Sequence, residues 1–116
     1  MSKLARSWQG WLADLSPTAG GEPRDRRPCV VVSSSLHCAF PIPMAIVVPV
    51  TTVDRSLPHH VPISSDSAGL GRPGWARTED VRSVSERRFI GSRPLGVLSD
   101  AERAAVRSQL QLMIDL

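Results

Sequence analysis

Two short apolar runs constrain this chain more than any other feature. Residues 29–32 (Cys-Val-Val-Val) and 45–51 (Ala-Ile-Val-Val-Pro-Val-Thr) are rich in β-branched side chains and carry almost no polar groups. Runs of that length and character are strands buried on both faces, since a helix needs ten residues or more. Pro49 removes one backbone donor from the second run, which predicts a bulge or an edge position there. Prolines and glycines, 10 and 8 of them, cut the remaining chain into pieces of similar size. Residues 9–15 alternate, with Trp11, Ala13 and Leu15 on one face and Gly10, Leu12 and Asp14 on the other, so they read as a third strand. Further short strands are predicted at 59–63, 75–78 and 95–98, and a short helical turn between 83 and 89. Long connections fall at 16–26, 33–44 and 53–58, where a site is to be sought.

The C-terminus is helical. Ser99-Asp100-Ala101-Glu102 has the form of a capping box, in which the serine hydroxyl and the glutamate three residues later satisfy each other's backbone donors. Ala105, Val106, Leu110, Met113 and Ile114 follow at helical spacing, which predicts a helix over about 100–115. Five or six short strands ending in one helix describe a small α+β, barrel-like domain. Residues 1–8 are expected to form a flexible N-terminal segment and 9–116 a single domain.

Composition sets limits on function. With 116 residues, 41% hydrophobic and 22% charged, the chain has the make-up of one globular domain and lacks room for separate catalytic and binding domains. No stretch approaches the roughly 18–20 apolar residues of a membrane span, and the first six residues lack the apolar core of a secretory signal. A cytoplasmic protein is expected. The formal net charge is +3, and 13 of the 14 basic residues are arginine. Arginine suits bidentate phosphate binding, which admits a nucleic-acid partner; a GC-rich coding sequence yields the same bias. Cys29 and Cys38 permit at most one disulfide, and Cys29 reads as a small buried hydrophobe. His37, Cys38, His59 and His60 show no paired spacing of the zinc-site kind, so neither metal nor cofactor is expected.

Several segments, taken in order, resemble a known family. The stretch Asp14-Leu15-Ser16-Pro17-Thr18-Ala19-Gly20-Gly21-Glu22 is followed by Arg27-Pro28-Cys29-Val30-Val31-Val32-Ser33, then by Val48-Pro49-Val50-Thr51-Thr52. Leu57-Pro58-His59-His60-Val61, Gly69-Leu70-Gly71-Arg72-Pro73 and Glu79-Asp80-Val81-Arg82-Ser83-Val84 continue the series. Together they resemble the MazF/PemK toxin endoribonucleases over nearly the whole chain. The resemblance implies a strongly twisted SH3-like β-barrel with a C-terminal α-helix, usually homodimeric. It further implies metal-free cleavage of single-stranded RNA by 2′-hydroxyl attack, leaving a 2′,3′-cyclic phosphate and a 5′-hydroxyl, with a small MazE-like antitoxin as partner.

The same resemblance carries Arg27, Thr51 and Glu22 into catalytic positions, and Arg24, Arg26, Thr52, Arg55, Asp80 and Arg82 into RNA-binding ones. Such chemistry needs a base for the 2′-hydroxyl, positive or donor groups at the phosphoryl oxygens, and a proton for the leaving oxygen. Arg27 suits charge stabilisation; as a surface residue it would instead pair with Glu22 or Asp25. Glu22 can take the proton or orient Arg27, and Thr51 can donate its hydroxyl. Phe40 and Trp75 are candidates for base stacking if exposed, though a tryptophan such as Trp75 more often belongs to the core. His59 and His60 are expected to be structural. Departures from the family pattern are Gly21 for its serine, Pro23 and Asp80 for its glutamines, and Ser7-Trp8-Gln9 at the start. Other readings are a gyrase poison resembling CcdB, disfavoured by the lack of tryptophan in the last helix, and a relative that binds antitoxin and nucleic acid without cutting.

Overall fold

One strand, Met44–Thr51, organises the molecule because both of its edges and both of its faces are used. The computed structural model describes residues 5–16 and 25–115. In chain order the elements are β1 (Gln9–Asp14), β2 (Arg26–Val31), α1 (Ser35–Ala39), β3 (Met44–Thr51), β4 (His60–Ile63), β5 (Gly74–Arg77), β6 (Arg82–Ser85), β7 (Gly96–Val97) and α2 (Asp100–Met113). Single 3-10 turns lie at Asp66–Ala68, Thr78–Asp80 and Glu86–Arg88. All pairings are antiparallel, in the order β4-β5-β3-β2-β1-β7, with β6 also on β3.

The free edge of β3 changes partner along its length. Residues 44–47 pair with β6, through Met44↔Ser85 to Val47↔Arg82, and residues 50–51 pair with β5. Pro49 sits in the gap between the two. On the β2 side Val32 N–H donates to Ile46 O at 2.9 Å, so hydrogen-bonded pairs recur at every second residue and the Cys29↔Pro49 pair is a non-bonded one. The proline nitrogen therefore points into the gap, where no ladder bond is lost. The expected bulge or edge is instead a change of partner within a central strand.

The sheet divides the interior in two. Trp11, Ala13, Cys29, Val31, Ala45, Val47, Val84 and Phe89 fill one cluster. Val30, Val48, Val50, Val61, Ile63, Ala76, Leu98 and Val106 fill the other. Odd and even residues of β2 and β3 go to opposite sides, which explains why their runs are apolar throughout. The first cluster is closed by the segment after β6: Phe89 bridges Ala13, Ile90 N–H donates to Leu12 O at 2.8 Å, and the Phe89 ring stacks on Trp11 at 5.2 Å. Helix α2 lies over the second with Val106 and Leu110, and Arg107 covers the Trp8 ring at 5.4 Å. The result is the small α+β barrel with a C-terminal helix anticipated from the strand pattern.

Four expectations are corrected. There are seven strands, because β6 occupies 82–85, where half of a helical turn was expected; β3 offers that segment an unpaired edge, and only Glu86–Arg88 is helical. The 33–44 connection contains α1, capped by Ser34 and tied to β3 through Ser33, whose hydroxyl meets His37 Nδ1 and accepts from Ile46 N–H, both at 2.8 Å. The segment expected to be flexible is anchored at two of its described residues, Ala5 being 1% exposed and Trp8 N–H donating to Val31 O; residues 1–4 lie outside the described residues. Helix α2 ends at Met113.

Candidate active site

The register of β2 against β3 runs Val31↔Val47, Val30↔Val48, Cys29↔Pro49. The β2–β3 pairing stops at Cys29↔Pro49; two residues further along their own strands, Arg27 and Thr51 fall on the Cys29 face by the two-residue period of a strand, with Arg27 paired to Ala13 and Thr51 to Trp75. Arg27 Nε donates to Asp25 Oδ1 at 2.7 Å, and its side chain stays one-third exposed. Asp25 is held in turn, since Leu15 N–H donates to its carbonyl at 2.9 Å. The pairing with Asp25 that sequence reading offered as the alternative is thus present.

Thr51 is buried, 7% exposed. Its hydroxyl oxygen accepts from Val53 N–H at 3.2 Å and from Arg55 Nη1 at 3.4 Å. Both acceptor positions are filled, which leaves the hydroxyl hydrogen as the group it has to donate. Arg55 therefore stands at the site itself and not on a distant rim.

Arg82 shares this face through its pairing with Val47, and its charge is felt by Cys29, whose thiol burial pushes up to about 12 against that influence. Arg82 Nη2 donates to Asp80 Oδ2 at 3.0 Å, and Arg77 Nη1 lies 3.9 Å from the same oxygen. Arg77 also lies 3.7 Å from Glu79, which accepts from the buried His60 Nε2 at 3.0 and 3.1 Å and is 3.7 Å from His59. Burial opposes the Glu79 charge, but the His60 hydrogen bond and the nearby cations outweigh it and lower its pKa. Asp80, the unexpected acid at this position, is thus matched by two arginines.

His59, His60 and Glu79 are the one metal-competent trio among the described residues, their ligand atoms within 4.8 Å of one another. The Arg77 guanidinium already supplies the charge that a cation would bring to Glu79. His37 and Cys38 lie apart from them on α1.

The other candidates fall differently. Arg26 is exposed at the start of β2, opposite Asp14. Thr52 lies on the far flank, lining an apolar cavity of about 200 Å³ with Leu12, Pro28, Val50 and Leu70. Glu22 and Arg24, with Gly21 and Pro23, lie outside the described residues. A cleft of about 340 Å³, lined by Leu15, Ser16, Arg82, Ser83, Ser85 and Arg88, opens where their loop leaves β1. A cleft of about 430 Å³ around Ser64, Asp66 and Arg72 contains none of the candidate residues. Phe40 is exposed and Trp75 half-buried.

Sequence reading missed Arg77 and Arg88. The spacing Arg77-Thr78-Glu79-Asp80-Val81-Arg82, with its alternating signs, was a usable signal for the first. Nothing local marks Arg88, whose partners are more than seventy residues away.

As a whole this side of the sheet offers the guanidinium groups of Arg27, Arg55 and Arg82 and the Thr51 hydroxyl, groups suited to a phosphodiester. Comparison with known proteins agrees. Residues 7–114 match the family model described as PemK-like, MazF-like toxin of type II toxin-antitoxin system. The chain is 34% identical over 118 residues to endoribonuclease MazF9 of Mycobacterium tuberculosis, covering 97% of this chain and 98% of that protein. It is 29% identical over 104 residues to the endoribonuclease toxin MazF of Escherichia coli K12, covering 90% and 87%. Its fold is similar to the crystal structure of MazF from Deinococcus radiodurans, with a TM-score of 0.78, 22% identity and coverage of 97% and 98%. A MazE-MazF crystal structure from the same organism gives a TM-score of 0.72 at 26% identity, covering 95% of each chain.

Proposed function

The chain belongs to the PemK/MazF family of type II toxin–antitoxin toxins, and from that premise we propose that it cuts single-stranded RNA at the Arg27–Thr51 corner. It is an endoribonuclease toxin, as its relatives are named, and its protein partner is an antitoxin. The finer reading is ours. The 2′-hydroxyl attacks the adjacent phosphorus, the bond to the 5′-oxygen breaks as that oxygen takes a proton from solvent water, and the products are a 2′,3′-cyclic phosphate and a 5′-hydroxyl. Arg27 offsets the charge that grows on the phosphoryl oxygens, and Thr51 donates its hydroxyl to one of them. Asp25 and Asp80 are engaged by arginines, so the 2′-hydroxyl proton goes to Glu22 on the 17–24 loop. Arg24, Arg26, Arg55 and Arg82 follow the RNA backbone, positioning the strand without reading bases. The active form is a homodimer of the cytoplasm. Among the described residues no helix is long and apolar enough to cross a membrane.

The observation that supports this reading is the β2–β3 register, which, continued two residues beyond Cys29↔Pro49, brings the Arg27 and Thr51 positions to one face of the sheet. The test is incubation with a mixed-sequence RNA in excess EDTA, mapping new 5′ ends and assaying them for hydroxyl. Wild-type protein should cut at a short recurring sequence, and Arg27→Ala should lose at least about 10²-fold in rate while unfolding at nearly the wild-type temperature. A folded, inactive wild type would instead indicate a relative that binds without cutting.

A further inference from the structure

The loop expected to carry Glu22 is held at its stem by a residue from a distant part of the chain. Arg88 ends the 3-10 turn Glu86–Arg88, and the residues after it are locked against β1: Phe89 bridges Ala13 and stacks on Trp11, and Ile90 bonds Leu12. From that fixed backbone the Arg88 guanidinium reaches past the end of β1. Its Nη1 donates to Ser16 O at 2.6 Å and to Asp14 O at 3.2 Å. The same stem is braced internally. The Asp14 carboxylate accepts from Ser16 N–H at 3.0 Å and from the Ser16 hydroxyl, which keeps it ionised below its ordinary range. Between these two residues the buried Leu15 donates its N–H to Asp25 O, and Asp25 holds Arg27 Nε.

An unbroken series of contacts thus runs from Arg88 through 14–16 and Asp25 to Arg27. We propose that Arg88 is a positioning residue for RNA cleavage: it brackets residues 14–16 and, through Leu15 and Asp25, sets the direction of Arg27. This rests on the function proposed above. Both bonds leave one nitrogen and end on backbone carbonyls two residues apart, which is the task of a bracket. Displacing a reacting group by about 1 Å is enough to cost on the order of 10²-fold in rate.

The test compares Arg88→Met and Arg88→Lys in the full chain. It measures kcat and KM on an RNA oligonucleotide and amide hydrogen exchange at Leu15 and Ser16. A lysine ammonium carries three donors on one nitrogen and can replace the bracket; methionine cannot. Arg88→Met should lower kcat by about 10- to 100-fold, change KM less than about twofold and speed exchange at Leu15, and Arg88→Lys should restore most of both. Wild-type kcat in a folded Arg88→Met would overturn the proposal, and so would a raised KM with kcat intact, which would make Arg88 a substrate contact. Should Arg88→Met not fold, Arg88→Lys decides: protected Leu15 with full kcat supports the bracket, and protected Leu15 with kcat lost refutes it. If wild-type protein cuts no RNA, the proposed function fails, and exchange at Leu15 still reports whether the bracket exists.

Discussion

Thr51 shows how much one hydroxyl can be asked to do. Its oxygen is saturated by Val53 N–H and Arg55, so only its hydrogen remains to be given away. Thr51→Ser should therefore retain most activity. Thr51→Val, of equal size, should lose about 10²- to 10³-fold in kcat and about 1–2 kcal/mol of stability, since Val53 N–H and Arg55 lose their acceptor. Steady-state kinetics on one RNA oligonucleotide, beside thermal unfolding, separate the two effects. Both Arg27 and Thr51 were legible as motif residues. Their shared face of the sheet was not, because it depends on how β2 and β3 slide against each other. Thr52 lies beside the apolar cavity on the other flank, since in extended chain neighbours point to opposite sides.

Among the elements, α2 was the most legible. The Ser99–Glu102 capping box forms as the sequence predicts, with Ser99 N–H to Glu102 at 3.0 Å and Glu102 N–H to Ser99 at 3.2 Å. What the sequence could not show is that Glu102 has a second task. Its carboxylate also accepts from Ser64 N–H at 2.8 Å, Ser65 N–H at 3.0 Å and the Ser65 hydroxyl at 2.6 Å, clamping the turn after β4 to the start of the helix. Burial works against the charge, but the Ser65 hydroxyl and the three amides outweigh it and lower the pKa to about 2. The unfolded group titrates near 4.5, so this stabilisation is complete above that pH and declines as pH falls towards 2. Glu102→Gln should cost on the order of 2 kcal/mol at pH 7 and flatten the loss of stability between pH 5 and 2, measured by urea unfolding at several pH values. The short elements were the hard ones. Four residues of β6 with one buried valine, Val84, carry no periodicity to read, and α1 is little more than one turn. Their identity comes from what lies beside them.

For the molecule as a whole, closure is the decisive feature. The chain after β6 returns to β1 through Phe89, and this contact shuts the first core and fixes Arg88 at once. Phe89→Ala should lower stability by roughly 3–5 kcal/mol, read by denaturant titration, because it empties a stacked site that neighbouring groups cannot collapse to fill. Charge acts on the same scale. If the arginines follow an RNA strand, affinity should fall with salt at a slope of about −0.7 per phosphate neutralised, and Arg26→Ala should make the slope shallower by about 0.7 with little change in cutting pattern. Filter binding across a salt series measures it. The sequence by itself determined the strands of two-sided burial, the final helix and its cap, and the family motifs, since all of these follow from periodicity or from residues within a few positions of one another. Only the tertiary structure decided where β3 changes partner, why Pro49 is harmless there, that Arg77 balances Glu79 and Asp80, and that Arg88 grips the stem beside Arg27. These depend on contacts between segments tens of residues apart, and their geometry exists only once both cores have closed.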